Sequence, residues 1–119
     1  MRILRLSLLS IIAVGLIFSF SFAAGNVEKG KSLFNDLKLA GGTKACNECH
    51  PGGRGLEKSG IKKEFNIGGK KQTGIEGAVN YCIVNANKGK AIDPESEDMT
   101  NIIAYIKSLK VEMPKKMGY

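Results

Sequence analysis

The pentapeptide Cys46-Asn47-Glu48-Cys49-His50 constrains this chain more than any other feature of its sequence. The two residues between the cysteines allow one helical turn to present both thiols to the same edge of a porphyrin, where each thiol can add across one vinyl group. The next residue can then offer an imidazole nitrogen to the iron from the proximal side. The spacing predicts one covalently bound haem c, attached through Cys46 and Cys49, with His50 as the proximal iron ligand.

Two other interpretations of these cysteines conflict with the surrounding sequence. A thioredoxin-like dithiol requires a strand before the motif and a helix after it, whereas Gly-rich stretches stand on both sides here. A zinc site formed by Cys46, Cys49, His50 and Cys82 has the right number of ligands, but such sites usually draw their second pair of ligands from another short loop. Covalent haem attachment is therefore the favoured interpretation.

The N-terminal residues 1–23 have the pattern of an export signal. Basic residues come first, residues 6–20 are mostly apolar, and the small residues Ser21 and Ala23 fit a cleavage site after residue 23. The alternative is an uncleaved segment that anchors the protein to the cytoplasmic membrane. Residues 24–119 are then expected to form one small periplasmic domain, which agrees with haem attachment because haem c is attached outside the cytoplasm.

The basic charge of the chain bears on its partners. The formal net charge is +7, and lysine pairs occur at residues 62–63, 70–71 and 115–116. Such a surface can attract the acidic surfaces of periplasmic redox proteins, although it also serves solubility. Nucleic acid is not an expected partner, because aromatic residues are not interleaved with the basic ones.

Apolar residues at helical spacing predict three helices, at residues 27–39, 75–87 and 96–110. The pair Gly41-Gly42 is expected to end the first helix, and Ser96 is a plausible N-cap of the third. Residues 51–74 lack periodicity and are predicted to be a loop around the haem. The expected fold class is therefore all-α, with three or more helices around one covalently attached haem.

Each of the last two helices has a predicted inner face. In the second, the inner face is formed by Ala78, Tyr81, Cys82 and Asn85. In the third, an apolar stripe is formed by Met99, Ile102, Ile103, Ile106 and Leu109. We expect both faces to pack around the haem or the core beside it.

These features resemble a class I-type monohaem cytochrome c domain. The carriers of the resemblance are Gly30 and Phe34 in the first helix, the Cys-x-x-Cys-His motif, and the sequence IAYIKSL at residues 103–109. The resemblance implies that an aromatic residue packs between the first and last helices. It also implies that Gly30 is the point where these helices cross closely, since glycine lets backbones approach.

The chain departs from that family in two ways, and a narrower resemblance explains both. The gap from Phe34 to Cys46 is long, and the only Met-Pro follows the last predicted helix. The sequence YCIVNANKGKAI at residues 81–92, followed by SEDM at residues 96–99, resembles the thiosulfate dehydrogenase and sulfur-oxidising cytochrome c branch. In that branch the cysteine matching Cys82 can be the distal iron ligand.

The sequence leaves the second axial ligand open. Cys82, Met99, Met113 and Met117 are candidates, and the position can also lack a protein ligand. Cys82 is the odd cysteine of three, which requires an explanation in an exported protein. Iron ligation gives one, and burial as a small apolar residue gives another. Met99 lies on the apolar stripe of the last helix, where methionine is also typical of core packing.

Two functions of different classes follow from these residues. The first is a periplasmic cytochrome that carries single electrons between redox partners. The second is the haem subunit of a sulfur-oxidising, thiosulfate dehydrogenase-like enzyme, with Cys82 on the iron and a cationic pocket for the substrate anion. That pocket would draw on Arg54, Lys62, Lys63, Lys70 and Lys71. A single haem motif without another catalytic constellation favours the carrier, and no catalytic residue is assigned.

Overall fold

The computed structural model describes residues 24–109, which form four α-helices, three short 3₁₀ turns and one β-hairpin. The helices are α1 (Val27–Phe34), α2 (Cys46–Cys49), α3 (Gly74–Asn85) and α4 (Glu97–Ser108), and the strands are β1 (Glu64–Ile67) and β2 (Lys70–Thr73). Within residues 24–109, no helix combines the length and apolar character needed to span a membrane. The predicted signal segment, Met113 and Met117 lie outside the described residues.

Helices α1 and α4 cross at Gly30. A Cβ atom at Gly30 would overlap the backbone carbonyl oxygen of Asn101 and lie 2.9 Å from the Tyr105 Cβ, so only glycine allows this approach. One turn further along α1, the rings of Phe34 and Tyr105 meet edge to face with their centroids 5.1 Å apart. The close glycine contact and the aromatic contact expected between these helices are thus both present.

Helix α1 is shorter than its periodicity predicts. It ends at Phe34, and the Asn35 side chain donates a hydrogen bond back to the Lys31 carbonyl oxygen at 2.8 Å. The Asp36 carboxylate then accepts from the Lys38 backbone N–H at 2.9 Å. Such local side-chain bonds compete with helical ones, so the predicted extension to residue 39 is wrong. The pair Gly41-Gly42 instead closes a separate 3₁₀ turn at Leu39–Gly41.

Helix α4 begins where its N-cap predicts. The Ser96 side chain accepts a hydrogen bond from the Met99 backbone N–H at 3.2 Å, and two acidic residues occupy the first turn. Four of the five residues in the predicted stripe are buried in the core, namely Met99, Ile102, Ile103 and Ile106. Leu109 lies just beyond the helix and is half-buried.

Helix α3 buries a face rotated from the predicted one. Its buried residues are Ile75, Ala78, Val79 and Ile83. Tyr81 and Cys82 are half-buried, whereas Asn85 is exposed and donates to the Tyr81 carbonyl oxygen at 2.8 Å. The prediction for Asn85 is therefore wrong, because the β-branched residues of the helix, rather than its polar ones, complete the core with α4.

A β-hairpin replaces part of the loop predicted for residues 51–74. Strands β1 and β2 pair antiparallel, with Phe65 opposite Gln72 and Ile67 opposite Lys70. The two-residue turn Gly68-Gly69 has φ values of 58° and 76°, and positive φ at both positions matches the right-handed twist of the flanking strands. Each strand has four residues, of which two in β1 and one in β2 are not exposed, so neither strand is long enough to show a clear alternating pattern in the sequence. The all-α cytochrome c class stays a prediction.

Candidate haem-binding site

An open cavity of about 300 Å³ lies between the Cys46–His50 segment, the hairpin and the inner faces of α3 and α4. Its volume is at the lower end of the range typical of ligand pockets, roughly 300–1,000 Å³. Most of its wall is apolar. The apolar lining residues are Phe34, Leu56, Phe65, Ile67, Ile75, Ala78, Val79, Ile102 and Ile106. Such a wall excludes water from a flat apolar ligand and stabilises its burial.

The Cys-x-x-Cys-His motif begins with the single turn α2 at one side of this cavity. The His50 backbone N–H donates to the Cys46 carbonyl oxygen at 3.0 Å, so one helical turn separates the first cysteine from the histidine. Pro51 follows, and a residue before proline is disfavoured in the helical region. His50 accordingly leaves the helix, with φ of −125° and ψ of 68°. His50 is one of the residues that line the cavity.

The His50 imidazole is oriented by one backbone contact. Its Nδ1 lies 2.9 Å from the Arg54 carbonyl oxygen. A carbonyl only accepts, so Nδ1 carries the proton and donates, and the lone pair is on Nε2. This is the arrangement that metal-ligating histidines use, with the second nitrogen fixed by a backbone or carboxylate acceptor. The tautomer of His50 therefore suits iron ligation through Nε2.

The two cysteines of the motif differ in their surroundings. Cys46 is half-buried and lines the cavity, whereas Cys49 is exposed and is not among the lining residues. Burial raises the pKa of the Cys46 thiol, and a hydrogen bond from the Asn87 side chain opposes that rise. One of the two predicted attachment residues is thus already at the cavity wall.

Cys82 lines the same cavity as Cys46 and His50. It is half-buried on α3, and burial is the main cause that raises the pKa of its thiol, followed by the charges of Cys46 and then Cys49. A cation bound in the cavity would act in the opposite direction and favour the thiolate. The Cys82 sulfur is therefore a donor within reach of a ligand in this cavity.

Met99 has a different position. Its side chain is completely buried, with 0 % exposure, in the core that also contains Leu39, Ile83 and Ile102. It is not among the residues that line the cavity. Of the distal-ligand candidates in residues 24–109, Cys82 is at the cavity wall and Met99 is inside the core.

The five basic residues considered for an anion pocket do not all line the cavity. Lys62 lines the cavity, whereas the other four do not. The Lys71 ammonium instead pairs with the Glu64 carboxylate of the neighbouring strand at 2.9 Å, and both side chains are exposed. The described residues therefore bring one cationic side chain to the cavity rather than five.

The cavity offers the thiols of Cys46 and Cys82 and the His50 imidazole as donors. Its other walls are mostly apolar, and this combination fits a covalently attached haem. Among the described residues, no group of three or more His, Cys, Asp or Glu side chains is arranged to hold a bare metal ion. The four-ligand zinc site considered from the sequence is thus not assembled in residues 24–109.

Several residues of the cavity are not predicted by any pattern in the sequence. Phe65 and Ile67 reach it from the hairpin, and Leu56 reaches it from the Gly-rich segment after the motif. Asn87 does not line the cavity, but its side chain contacts the Cys46 sulfur from a position just beyond the end of α3. The Gly68-Gly69 pair after the alternating residues Phe65, Asn66 and Ile67 is the one signal that could have revealed the hairpin. Comparison with family models, curated proteins and solved structures gave no significant match.

Proposed function

We propose that this protein is a periplasmic monohaem c-type cytochrome that carries single electrons between redox partners. The observation that supports this most strongly is the combination of Cys46 and His50 at one apolar cavity, with the His50 Nδ1 already donating to the Arg54 carbonyl oxygen at 2.9 Å. Haem c, when bound, supplies one-electron chemistry at its iron. The roles of the protein are to hold the group, orient its ligand and exclude water.

Each of these roles has a residue in the described structure. Cys46 and Cys49 would hold the haem covalently, and His50 would ligate its iron through Nε2. The side chains of Phe34, Ile102 and Ile106 form a wall of low polarity around it. In a site of low effective dielectric, each nearby charge has a larger effect on the relative stability of the ferric and ferrous states. The exposed position of Cys49 agrees with a haem edge that reaches the surface, where a partner can exchange electrons.

Haem staining after denaturing electrophoresis tests this proposal. Holoprotein made in a bacterium with a haem-attachment system should keep its haem through denaturation, and acidified acetone should not extract it. Cys46→Ala and Cys49→Ala should each lower the holoprotein yield sharply. Asn47→Ala, which changes a residue between the two cysteines and leaves both thiols, is the matched control. Loss of all haem to acidified acetone would rule out covalent attachment and, with it, the proposed function.

A second function has one observation in its favour. Cys82 lines the cavity that His50 also lines, so a thiol is available near the predicted iron position. Thiolate-ligated haem agrees with the weaker resemblance to sulfur-oxidising cytochromes, and the protein would then be the haem subunit of such an enzyme. Among residues 24–109, Lys62 is the one lysine or arginine at the cavity that is available to attract an anion such as thiosulfate.

Reduction of the purified protein by thiosulfate discriminates the two functions. A carrier should be reduced by a small chemical donor such as ascorbate or dithionite but not by thiosulfate alone. A sulfur-oxidising subunit should be reduced by thiosulfate, and Cys82→Ser should abolish that reaction while leaving dithionite reduction intact. Reduction by thiosulfate that persists in Cys82→Ser would argue against the second function.

A further inference from the structure

Ile61 is the most exposed large apolar side chain in the part of the chain that the structure describes, at 86 % exposure. It ends the 3₁₀ turn Ser59–Ile61, and both the first residue of this turn and the residue after it, Lys62, line the cavity. A single exposed isoleucine is ordinary on a protein surface. The position of this one at the edge of the cavity makes it a candidate contact for a redox partner.

Four exposed lysines lie next to this turn. Two of them flank it as its N-cap and C-cap residues, and the third comes next in the sequence. The fourth, Lys107, packs on the turn from the end of α4, since a Cβ atom at Gly60 would be 3.0 Å from the Lys107 Cγ. None of the four forms an ion pair within residues 24–109. We call Ile61 together with these lysines the Ile61 surface, and the lysines are Lys58, Lys62, Lys63 and Lys107.

The charges of the chain are distributed unevenly around this surface. Residues 54–71 contain six basic and two acidic residues, and one of the acidic ones is already paired with a lysine of the neighbouring strand. Residues 93–98 contain four acidic residues and no basic one, and one of the four is paired with Lys29. They lead into the first turn of α4, about 15 Å along the helix from Lys107. The two ends of α4 therefore differ in charge, and such an asymmetry orients an approaching charged partner.

We propose that the Ile61 surface docks an acidic redox protein, with Ile61 entering an apolar depression of the partner and the four lysines facing acidic residues around it. This inference rests on the proposed function and deepens it by locating where the partner exchanges electrons. One electron passes across the contact, so one protein is oxidised and the other is reduced by one electron, and no atom is transferred. An apolar centre with a charged rim is the usual arrangement of such interfaces, in which a few buried anchors carry most of the binding energy.

A protein fits this surface better than a membrane does. Basic segments that lie on anionic lipid usually bury a row of apolar side chains along an amphipathic helix. The Ile61 surface offers one large apolar side chain on a three-residue turn. One such side chain can fill a pocket on a protein, whereas it buries too little apolar area to hold the molecule on a lipid surface.

Reduction of the ferric holoprotein by photoreduced flavodoxin tests the proposal, because flavodoxin is a small acidic electron-transfer protein. The second-order rate constant is measured at several salt concentrations, and lumiflavin, a small uncharged donor, reports the reactivity of the haem itself. Ile61→Ser removes the apolar centre of the Ile61 surface, and Lys63→Glu reverses a charge at a residue that does not line the cavity. Leu37→Ser, at another exposed apolar residue, and Lys31→Glu, at an exposed lysine of α1, are the matched controls.

The wild type and both controls should react with flavodoxin at similar rates that fall as salt is added. Ile61→Ser and Lys63→Glu should each lower this rate constant several-fold, and the effect of Lys63→Glu should shrink at high salt, because salt screens exposed charges. All five proteins should react alike with lumiflavin, which does not need the docking contact.

Equal flavodoxin rate constants for the two variants and their controls would overturn the role of the Ile61 surface. Binding of the wild type to phosphatidylglycerol vesicles that Ile61→Ser abolishes, with flavodoxin rates unchanged, would assign the surface to lipid and also overturn the proposal. A wild-type protein without a haem that either donor can reduce would overturn the proposed function itself.

Discussion

Gly30 of α1 lies directly against the backbone carbonyl oxygen of Asn101 in α4. A Cβ atom added at Gly30 would overlap that oxygen, and the Tyr105 Cβ would be 2.9 Å away. The neighbouring Phe34 ring both packs on Tyr105 and lines the cavity. The distance between the two helices is therefore coupled to the shape of the cavity, and both depend on the absence of a side chain at residue 30.

Gly30→Ala should destabilise the protein because α1 and α4 must move apart. Overpacking of this kind costs about 1–3 kcal/mol, and the midpoint of urea unfolding of the holoprotein should fall accordingly. Gly77→Ala is the matched control. A Cβ at Gly77 would meet Gln72 atoms at 3.8 Å, an ordinary contact, so alanine inside α3 should stabilise by roughly 0.5–1 kcal/mol. Equal unfolding midpoints for Gly30→Ala and the wild type would contradict the close crossing.

The ion pair between Lys29 and Glu97 should contribute to acid sensitivity. Their atoms are 2.9 Å apart on the surface, and the hydrogen bond and charge of Lys29 hold the pKa of the Glu97 carboxyl below its ordinary value of 4.5. A carboxyl with a lowered pKa in the folded state stabilises the protein above the ordinary pKa, and this contribution is lost as the pH falls through the folded value. Lys29→Met should therefore make stability less dependent on pH in the acid range.

The measurement for Lys29→Met is the urea midpoint as a function of pH, from neutrality to below 4.5. The effect should be small and should shrink with added salt, because both side chains are exposed. Lys31→Met is the matched control on the same helix, since Lys31 is exposed and forms no ion pair within residues 24–109. The same change in slope for both variants would indicate a general charge effect rather than the Lys29–Glu97 pair.

His50→Ala should give a protein that fails to mature or lacks a low-spin haem spectrum. His50 is the only histidine of the chain, so no other imidazole can replace it. Absorption spectra of the purified holoprotein make the measurement. Glu48→Gln is the control, because it changes an exposed residue in the same helical turn and should leave the spectrum intact. A wild-type spectrum in His50→Ala would contradict imidazole ligation.

Cys82 should lower the reduction potential if its thiolate ligates the iron. An anionic donor in a site of low polarity stabilises the ferric state, because it offsets the charge of the iron. Cys82→Met should then raise the potential, and Cys82→Ser should change the spin state seen by low-temperature electron paramagnetic resonance. Val84→Ser, on the exposed side of α3, should change neither. An unchanged spectrum and potential in Cys82→Ser would mean that Cys82 is a packing residue.

The helices show how far local patterns predict this structure. The inner face of α4 follows from apolar residues spaced three and four apart, and its start follows from the Ser96 hydroxyl, so both were predictable. The end of α1 was not, because Asn35 and Asp36 bond to nearby backbone and stop a helix whose apolar pattern continues. Which face of α3 is buried depends on how its side chains pack against α4. That packing involves both helices, so the sequence pattern of α3 alone does not predict it.

The sequence by itself determined the Cys-x-x-Cys-His turn, because one turn of backbone links Cys46, Cys49 and His50 and its geometry depends on local bonds alone. Only the tertiary structure decided which distant side chains join them. Cys82 lies at the cavity and Met99 in the core, and Asn87 reaches the Cys46 sulfur across 41 residues of chain. These positions depend on how α1, α3 and α4 pack together, and Gly30 sets how closely α1 approaches α4. No spacing along the chain encodes that packing.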